Sequence, residues 1–422
     1  MNYIKKLASF FIVFPFILSA SCGVSEHGTE SGGIDVSNDE PAISVGDILE
    51  VPSEEIDDKP DLGVPHEDEP PPEPEQLIVR AVAVGDNLIH QPIYSQANRR
   101  MNNAENSYDF SPAYENVFEL IAGRELAIIN QETLICNDIF PPSSWPSFNS
   151  PVALGDFMIE MGFNVFGIAN NHTLDKGAEG LSACLDYWRT KDDVVVVGAY
   201  YDKEDRKNIR TKEINGITFS FLSYTEHLNG LVLPAGSPLE IGDAKDLDTL
   251  EIEIARAKGI SDVCVVLLHW GQEDYDKIEP YQRAAAKRMA DAGADIILGT
   301  HPHVLRDIEY IERVDGGISL VAYSLANFIS AQDKPQTMIG GVLSFEVAVN
   351  SQTREAQIKD VLLTPTITHY DSKYGFIRIY PLSEYTPELA AAHGVKEFGH
   401  FSYDYIYEVL NNNVSEEFLV LN

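Results

Sequence analysis

The stretch Gly167-Ile168-Ala169-Asn170-Asn171-His172-Thr173-Leu174-Asp175-Lys176-Gly177 ends an apolar run from Phe163 to Ile168. It sets an amide oxygen and an imidazole side by side where a buried strand gives way to a polar turn. A divalent-metal site with an adjacent general acid needs that pairing. Alone it decides little, because Asn-Asn and Asp-Lys-Gly are ordinary turn chemistry and a single His beside them more often only hydrogen-bonds. Its weight comes from repetition along the chain.

Four further runs end in the same way. Leu77 to Val84 leads into Gly85-Asp86-Asn87, with His90 four residues after the Asp, and Leu126 to Ile129 leads into Asn130-Gln131-Glu132. Val263 to Leu268 ends in His269-Trp270-Gly271-Gln272-Glu273. Asp295 to Leu298 follows a helical pattern from about Tyr281 to Ala292, closed by Gly293, and ends in Gly299-Thr300-His301-Pro302-His303. The run at Phe163 is itself preceded by Ser150-Pro151, a helix start, with Leu154, Phe157, Met158 and Met161 on one face. Short runs apolar on both faces, alternating with helices, predict an α/β fold with a mostly parallel, helix-covered sheet. Such sheets bind ligands at the carboxyl ends of their strands. All five runs stop at a residue able to bind a divalent cation: Asp86, Glu132, Asn171, His269 and the pair His301/His303.

After Gly317 the texture changes. Ile318 to Leu325, Gly341 to Val349, Gln357 to Leu363 and Gly375 to Tyr380 read as strands with some alternation, which predicts antiparallel pairing in a second sheet or half of a sandwich. Pro387 to Ala392 and Tyr403 to Asn411 read as closing helices.

The donors mix oxygen with imidazole nitrogen, which suits Zn, Mn or Fe better than Ca or Mg. They outnumber the needs of one four-coordinate ion, so two divalent metal ions sharing a carboxylate are expected. Such a pair can generate hydroxide at neutral pH and clamp a phosphoryl oxygen. His172 is then free to protonate a leaving group, with Asp175 as its orienting partner. Arg306, three residues beyond His303, is a candidate for contacting an anionic substrate, or else pairs with Asp307 or Glu309. His90 is a second candidate for substrate contact.

Charge is uneven. The formal net charge is −36. From Glu26 to Glu75 there are 17 acidic residues against one Lys, with prolines at 41, 52, 60, 65, 70, 71, 72 and 74. Residues 22–76 therefore read as a disordered, self-repelling spacer. Ahead of them Lys5-Lys6, an apolar run from Leu7 to Leu18, and Ser19-Ala20-Ser21-Cys22 read as a secretion signal over residues 1–21. Small residues before Cys22 resemble a bacterial lipoprotein signal, although Ser19 stands where that signal usually has Leu; cleavage near Ala20 by ordinary signal peptidase is the alternative. A lipidated Cys22 predicts an extracytoplasmic domain anchored to the cell membrane without spanning it. Cys136, Cys184 and Cys264 show no CxxC spacing and read as packed thiols. No basic stripe for nucleic acid is present.

Gly-Asp near the start, Asn-x-Glu, Ala-Asn-Asn-His-x-x-Asp-x-Gly, Leu-His-Trp-Gly-x-Glu, His-Pro-His-Val and Tyr-Ser-Leu-x-Asn-Phe occur in that order. Together they resemble the CapA family of capsule synthesis, associated with poly-γ-glutamate production and related to calcineurin-like metallophosphoesterases. The resemblance implies a four-layer α/β sandwich over residues 77–422, with C-terminal antiparallel strands and a dinuclear centre. It matches Asp86 to the first-motif Asp, Glu132 to a bridging carboxylate, Asn171-His172 to Asn-His, His269 to a lone His and His301/His303 to His-x-His. Leu88 stands where the phosphoesterase motif has its His, and Ala326 where the CapA pattern usually has Gly. Two functions follow from the resemblance. One is a surface-anchored, metal-dependent hydrolase or transferase acting on a phosphate ester or a γ-linked glutamate polymer. The other is a non-catalytic assembly or tethering component, with capsule synthase or export subunits as partners.

Overall fold

The computed structural model describes residues 75–421. The signal at 1–21, Cys22 and all but the last two residues of the 22–76 spacer lie outside the described residues.

Four parallel strands open the fold: β1 (Gln76–Asn87), β2 (Leu126–Asn130), β3 (Val165–Gly167) and β4 (Val195–Val197). After a two-residue β5 (Ala199–Tyr200), β6 (Arg210–Ile214) and β7 (Ile217–Thr225) pair as a hairpin. β8 (Glu240–Ile241) pairs back with β5. β9 (Val263–His269), β10 (Ile296–Thr300), β11 (Leu305–Glu312) and β12 (Ile318–Leu325) complete a six-stranded sheet in the order β11-β12-β10-β9-β7-β6. β13 (Asn327–Ile329) pairs with the end of β1. β14 (Ile339–Asn350), β15 (Ala356–Asp371) and β16 (Gly375–Pro381) then extend the first sheet, in the order β16-β15-β14-β1-β2-β3-β4.

One sequence expectation is corrected here. The five apolar runs do not share one sheet, since β1, β2 and β3 lie in the first and β9 and β10 in the second. A strand apolar on both faces only requires cover on both, and a second sheet covers it as well as a helix does. The C-terminal strands pair antiparallel as expected, β12 with β11 in the second sheet and β14 to β16 as an extension of the first. β14 runs antiparallel to β1 from Gln76↔Asn350 to Val84↔Val342. β2 occupies only one edge of β1, and its other edge is buried backbone that needs a hydrogen-bonding neighbour.

Alternation along β9 shows how the layers stack. Val263, Val265 and Leu267 pack in the same core as Val79, Ala81 and Ala83 of β1. Cys264, Val266 and Leu268 face the other way, against Leu250 and Ile254 of the helix Leu247–Lys258 and Ala286 and Met289 of the helix Pro280–Asp291. Helices Val152–Glu160 and Gly177–Arg189 contribute Leu154, Met158, Leu181 and Cys184 to the core of the first sheet. The result is a four-layer α/β sandwich. Cys136, Cys184 and Cys264 are buried and free, as packed thiols should be. Among the described residues no helix is long and apolar enough to cross a membrane.

A buried histidine in the C-terminal part makes the fold acid-sensitive. His393 Nδ1 accepts from the Val395 amide (3.0 Å) while Nε2 donates to the Thr368 carbonyl (3.0 Å), so one neutral tautomer is fixed. Burial, reinforced by the neighbouring His369, pushes its pKa down to about 3. The unfolded chain takes up that proton near pH 6.5, as a free His does. Stability from this ring is therefore complete above about pH 6.5 and lost as pH falls toward 3, at a limiting slope of about 1.4 kcal/mol per pH unit. Between pH 6 and pH 4, urea titrations should show the wild type losing stability more steeply than His393→Gln. Equal slopes would contradict this assignment.

Candidate metal centre

The carboxyl ends of strands from both sheets meet over one buried cluster. Gly85 makes the approach possible, because a Cβ there would lie 1.8 Å from the Ala326 carbonyl oxygen. With no side chain at Gly85, the Asp86 amide donates to that carbonyl at 2.8 Å. Ala326 itself has a φ of +60°, which explains why a glycine suits this place better. His301 (φ +95°) and His303 (φ +59°) also hold left-handed backbone, a cost found where surrounding contacts over-determine a functional turn. Here Asp86 Oδ2 accepts from the His301 amide (3.2 Å) and from His303 Nδ1 (3.0 Å).

Glu132 sits at the centre. It is 1% exposed, and neither carboxylate oxygen has a hydrogen-bond partner among the described residues. Around Oε1 lie His269 Nε2 and His303 Nε2, each at 3.8 Å, and His172 Nε2 at 3.9 Å. His269 Nε2 also faces Asn171 Oδ1 (3.1 Å) and His301 Nδ1 (3.0 Å). The structure thus brings Asp86, Glu132, Asn171, His269, His301 and His303 into one cluster, with His172 at its edge. His172 Nδ1 lies 2.8 Å from Asp175 Oδ2, which also accepts from the Phe148 amide at 2.6 Å.

Of the two candidates for substrate contact, one stands elsewhere than expected. Arg306 is 1% exposed, donating to the Tyr275 and Gln272 carbonyls and to Gln282 Oε1. Its guanidinium braces the loop after β9 and is absent from the cleft beside the cluster, a correction to the substrate-contact reading. It also makes no ion pair with Asp307 or Glu309. Its planar fork finds its acceptors inward, where water cannot compete. His90 does line the cleft, but its Nδ1 accepts from the Ala331 amide (3.2 Å) and burial pushes its pKa down to about 4.

Sequence comparison agrees with the motif order. A model of the family described as bacterial capsule synthesis protein PGA_cap matches residues 80–332, more than half of the chain. The chain belongs to that family. It is 34% identical over 194 residues to the capsule biosynthesis protein CapA of Bacillus anthracis, covering 45% of this chain and 46% of that one. It is 34% identical over 197 residues to the PGA biosynthesis protein CapA of Bacillus subtilis (strain 168), covering 46% and 50%. The chain thus spans about half the length of these curated relatives. A solved structure described as a novel phosphatase of Mycoplasma pneumoniae superposes with a TM-score of 0.42 at 12% identity, covering 68% of this chain and 94% of that one.

For this PGA_cap member, the donors themselves test whether a cation fits. Asp86, Glu132 and His303 place ligand atoms within 4.8 Å of one another, all buried. Desolvation, and then the charge of Asp86, pushes the Glu132 carboxyl well up. His303 loses to desolvation but gains more from Glu132 and Asp86, and is held up at about 10. A divalent cation beside these oxygens and nitrogens takes the place of bound protons. Burial drives His269 and His301 well below the ordinary value, so their nitrogens offer lone pairs. The residues therefore fit a divalent cation with mixed oxygen and nitrogen preference.

One donor escaped the sequence. His227 Nε2 lies 2.9 Å from His301 Nε2, two residues past the end of β7. Its strand alternates Ser and Thr with apolar residues, so no continuous apolar run announced it, although Ser220, Ser223 and Thr225 are buried.

Removing the central charge should separate metal binding from folding. A carboxyl whose folded pKa is raised costs stability at neutral pH. Glu132→Gln should therefore raise the melting temperature of metal-free protein while abolishing the further rise on adding Mn²⁺ or Zn²⁺. His301→Ala should lower both metal content and the metal-induced rise. A Glu132→Gln variant that still gains full stability from metal would remove Glu132 from the ligand set.

Proposed function

We propose that this chain is a metal-dependent hydrolase or transferase of capsule biosynthesis, linked to poly-γ-glutamate production and held at the outer face of the cell membrane by lipid on Cys22. One observation carries the catalytic part: a buried carboxylate with no hydrogen-bond partner among the described residues lies 3.9 Å from the His172 ring and 3.8 Å from the His303 ring, and both rings line an open cleft. A buried carboxylate in a purely structural core is normally paired. Asp86, Glu132, Asn171, His269, His301 and His303, with His227 beside His301, would hold divalent ions of the Mn, Zn or Fe type, and they are more donors than one four-coordinate ion needs. When bound, such ions supply Lewis acidity to a phosphoryl or carbonyl oxygen and acidify water.

The cleft holds about 560 Å³ and is lined by His172, Asp175, Asn171, Glu273, His90 and His303 among others. The Asp175 carboxylate accepts from His172 Nδ1 and so fixes the ring's tautomer and orientation. Nε2 is left as the nitrogen that carries a transferable proton. A protonated His172 gives that proton to the leaving oxygen, and Asp175 stabilises the imidazolium before transfer. The backbone bond from Phe148 to Asp175 keeps the pair from swinging.

His172→Ala should retain the bound metal and lose roughly 10²- to 10⁴-fold in turnover of a diester with a poor leaving group. A substrate whose leaving group needs no proton should suffer much less. Loss of metal as complete as in His301→Ala would make His172 a ligand. A wild type that holds no metal after supply of Zn or Mn would make the tethering component the better reading. Cys22→Ala should release the protein from membranes, and an unmodified amino terminus downstream of Cys22 by intact mass would contradict the anchor.

A further inference from the structure

Beside the metal cluster the cleft has a wall that neither metal binding nor proton transfer uses. Trp145 is 76% exposed and Leu231 44% exposed, and both line the cleft that His172 lines. The other two tryptophans, Trp188 and Trp270, are 3% and 2% exposed. An indole left in water recovers its burial only when something covers it.

The loop that carries Trp145 is fastened. Ser143 and Asn149 exchange backbone hydrogen bonds at 2.9 and 3.1 Å, and Ser143 Oγ donates to the Ser147 carbonyl at 2.8 Å. Ser147 Oγ donates to the Asp175 carbonyl (2.7 Å), and Lys176 Nζ donates to Ser147 O (3.0 Å) and Oγ (2.8 Å). Phe148 packs edge-on against the rings of both His172 and His90, with centroids at 4.7 and 5.2 Å. Trp145 is therefore held in place by the same segment, Asp175 and Lys176, that orients the general acid. The part of a substrate nearest His172 is its leaving group, so that part meets Trp145.

Charge narrows what it meets. Among the described residues no Lys or Arg lines the cleft, whereas Asp175 and Glu273 do, and the nearby Lys176 amine is spent on Ser147. An anionic leaving group finds no counter-charge on this wall.

We propose that Trp145, with Leu231, forms a recognition wall for an uncharged ring on the leaving group, a pyranose with its apolar face or a planar base. This rests on the hydrolase reading above and narrows its substrate class to phosphate esters with ring-bearing leaving groups. Stacking on one aromatic face is worth about tenfold in affinity or more. Three methyl phosphodiesters, with ethyl, glucosyl or adenosine as the second ester group, test it on Mn²⁺-loaded full-length protein. Trp145→Ala should raise KM about tenfold for the glucosyl or the adenosine diester, leaving kcat and the ethyl diester unchanged. Trp145→Phe should restore most of the loss. An equal change on all three, or none on any, overturns the proposal. A second readout needs no turnover: Trp145 is the exposed tryptophan, so its emission is titrated with methyl glucoside and with adenosine. A saturable change in the wild type, absent in Trp145→Phe, supports the ring wall and tells sugar from base. No change with either ring overturns it. A positive titration without turnover of any diester keeps the ring site and sinks the hydrolase reading instead.

Discussion

The rest of the site depends on one unsatisfied carboxyl group. Glu132 places both oxygens in a buried seam with no hydrogen-bond partner among the described residues, and the imidazoles of His172, His269 and His303 lie within 4 Å of Oε1. Folding alone gains nothing from this arrangement, since burying an unpaired carboxylate costs several kcal/mol. Burial tilts His269 and His301 toward neutral, lone-pair-bearing forms, while the neighbouring carboxylates of Glu132 and Asp86 hold His303 up against the opposing effect of burial. Each tendency is relieved by a cation. Strain in the His301 and His303 backbone belongs to the same picture, because a turn that folds against its preferred torsions is held there by Asp86.

The architecture explains why such a cluster can be rigid. Its donors lie at or just past the ends of strands from two sheets that share one core: Asp86 and His269 belong to the ladders of β1 and β9 themselves, and Glu132, Asn171, His301 and His303 follow β2, β3 and β10 within a few residues. The cleft walls around Trp145 and Leu231 come from loops outside these ladders.

Much of the site was legible in the sequence because its donors follow short apolar runs, as at Ile129-Asn130-Gln131-Glu132 and Leu268-His269. Periodicity announced those strands, and position at the strand end announced the donors. His227 was not legible, since the small hydroxyls of β7 are buried by close sheet packing, which a count of apolar residues does not register. Arg306 misled for the opposite reason: its place three residues after His303 suggested the cleft, while β11 turns it toward the carbonyls of the loop after β9. The pairing of β14 with β1 was hidden as well. Alternation shows that a strand has a buried face and says nothing about which neighbour completes its ladder.

The central claim, that the Glu132 cluster is a cation site, is tested most directly by anomalous scattering from crystals of the full domain grown with Mn²⁺ or Zn²⁺. The account predicts one or two strong peaks at coordination distance from Glu132, with His269, His301 or His303 and Asp86 among the nearest atoms. Peaks confined to exposed carboxylates, with none beside Glu132 at saturating metal, would contradict it.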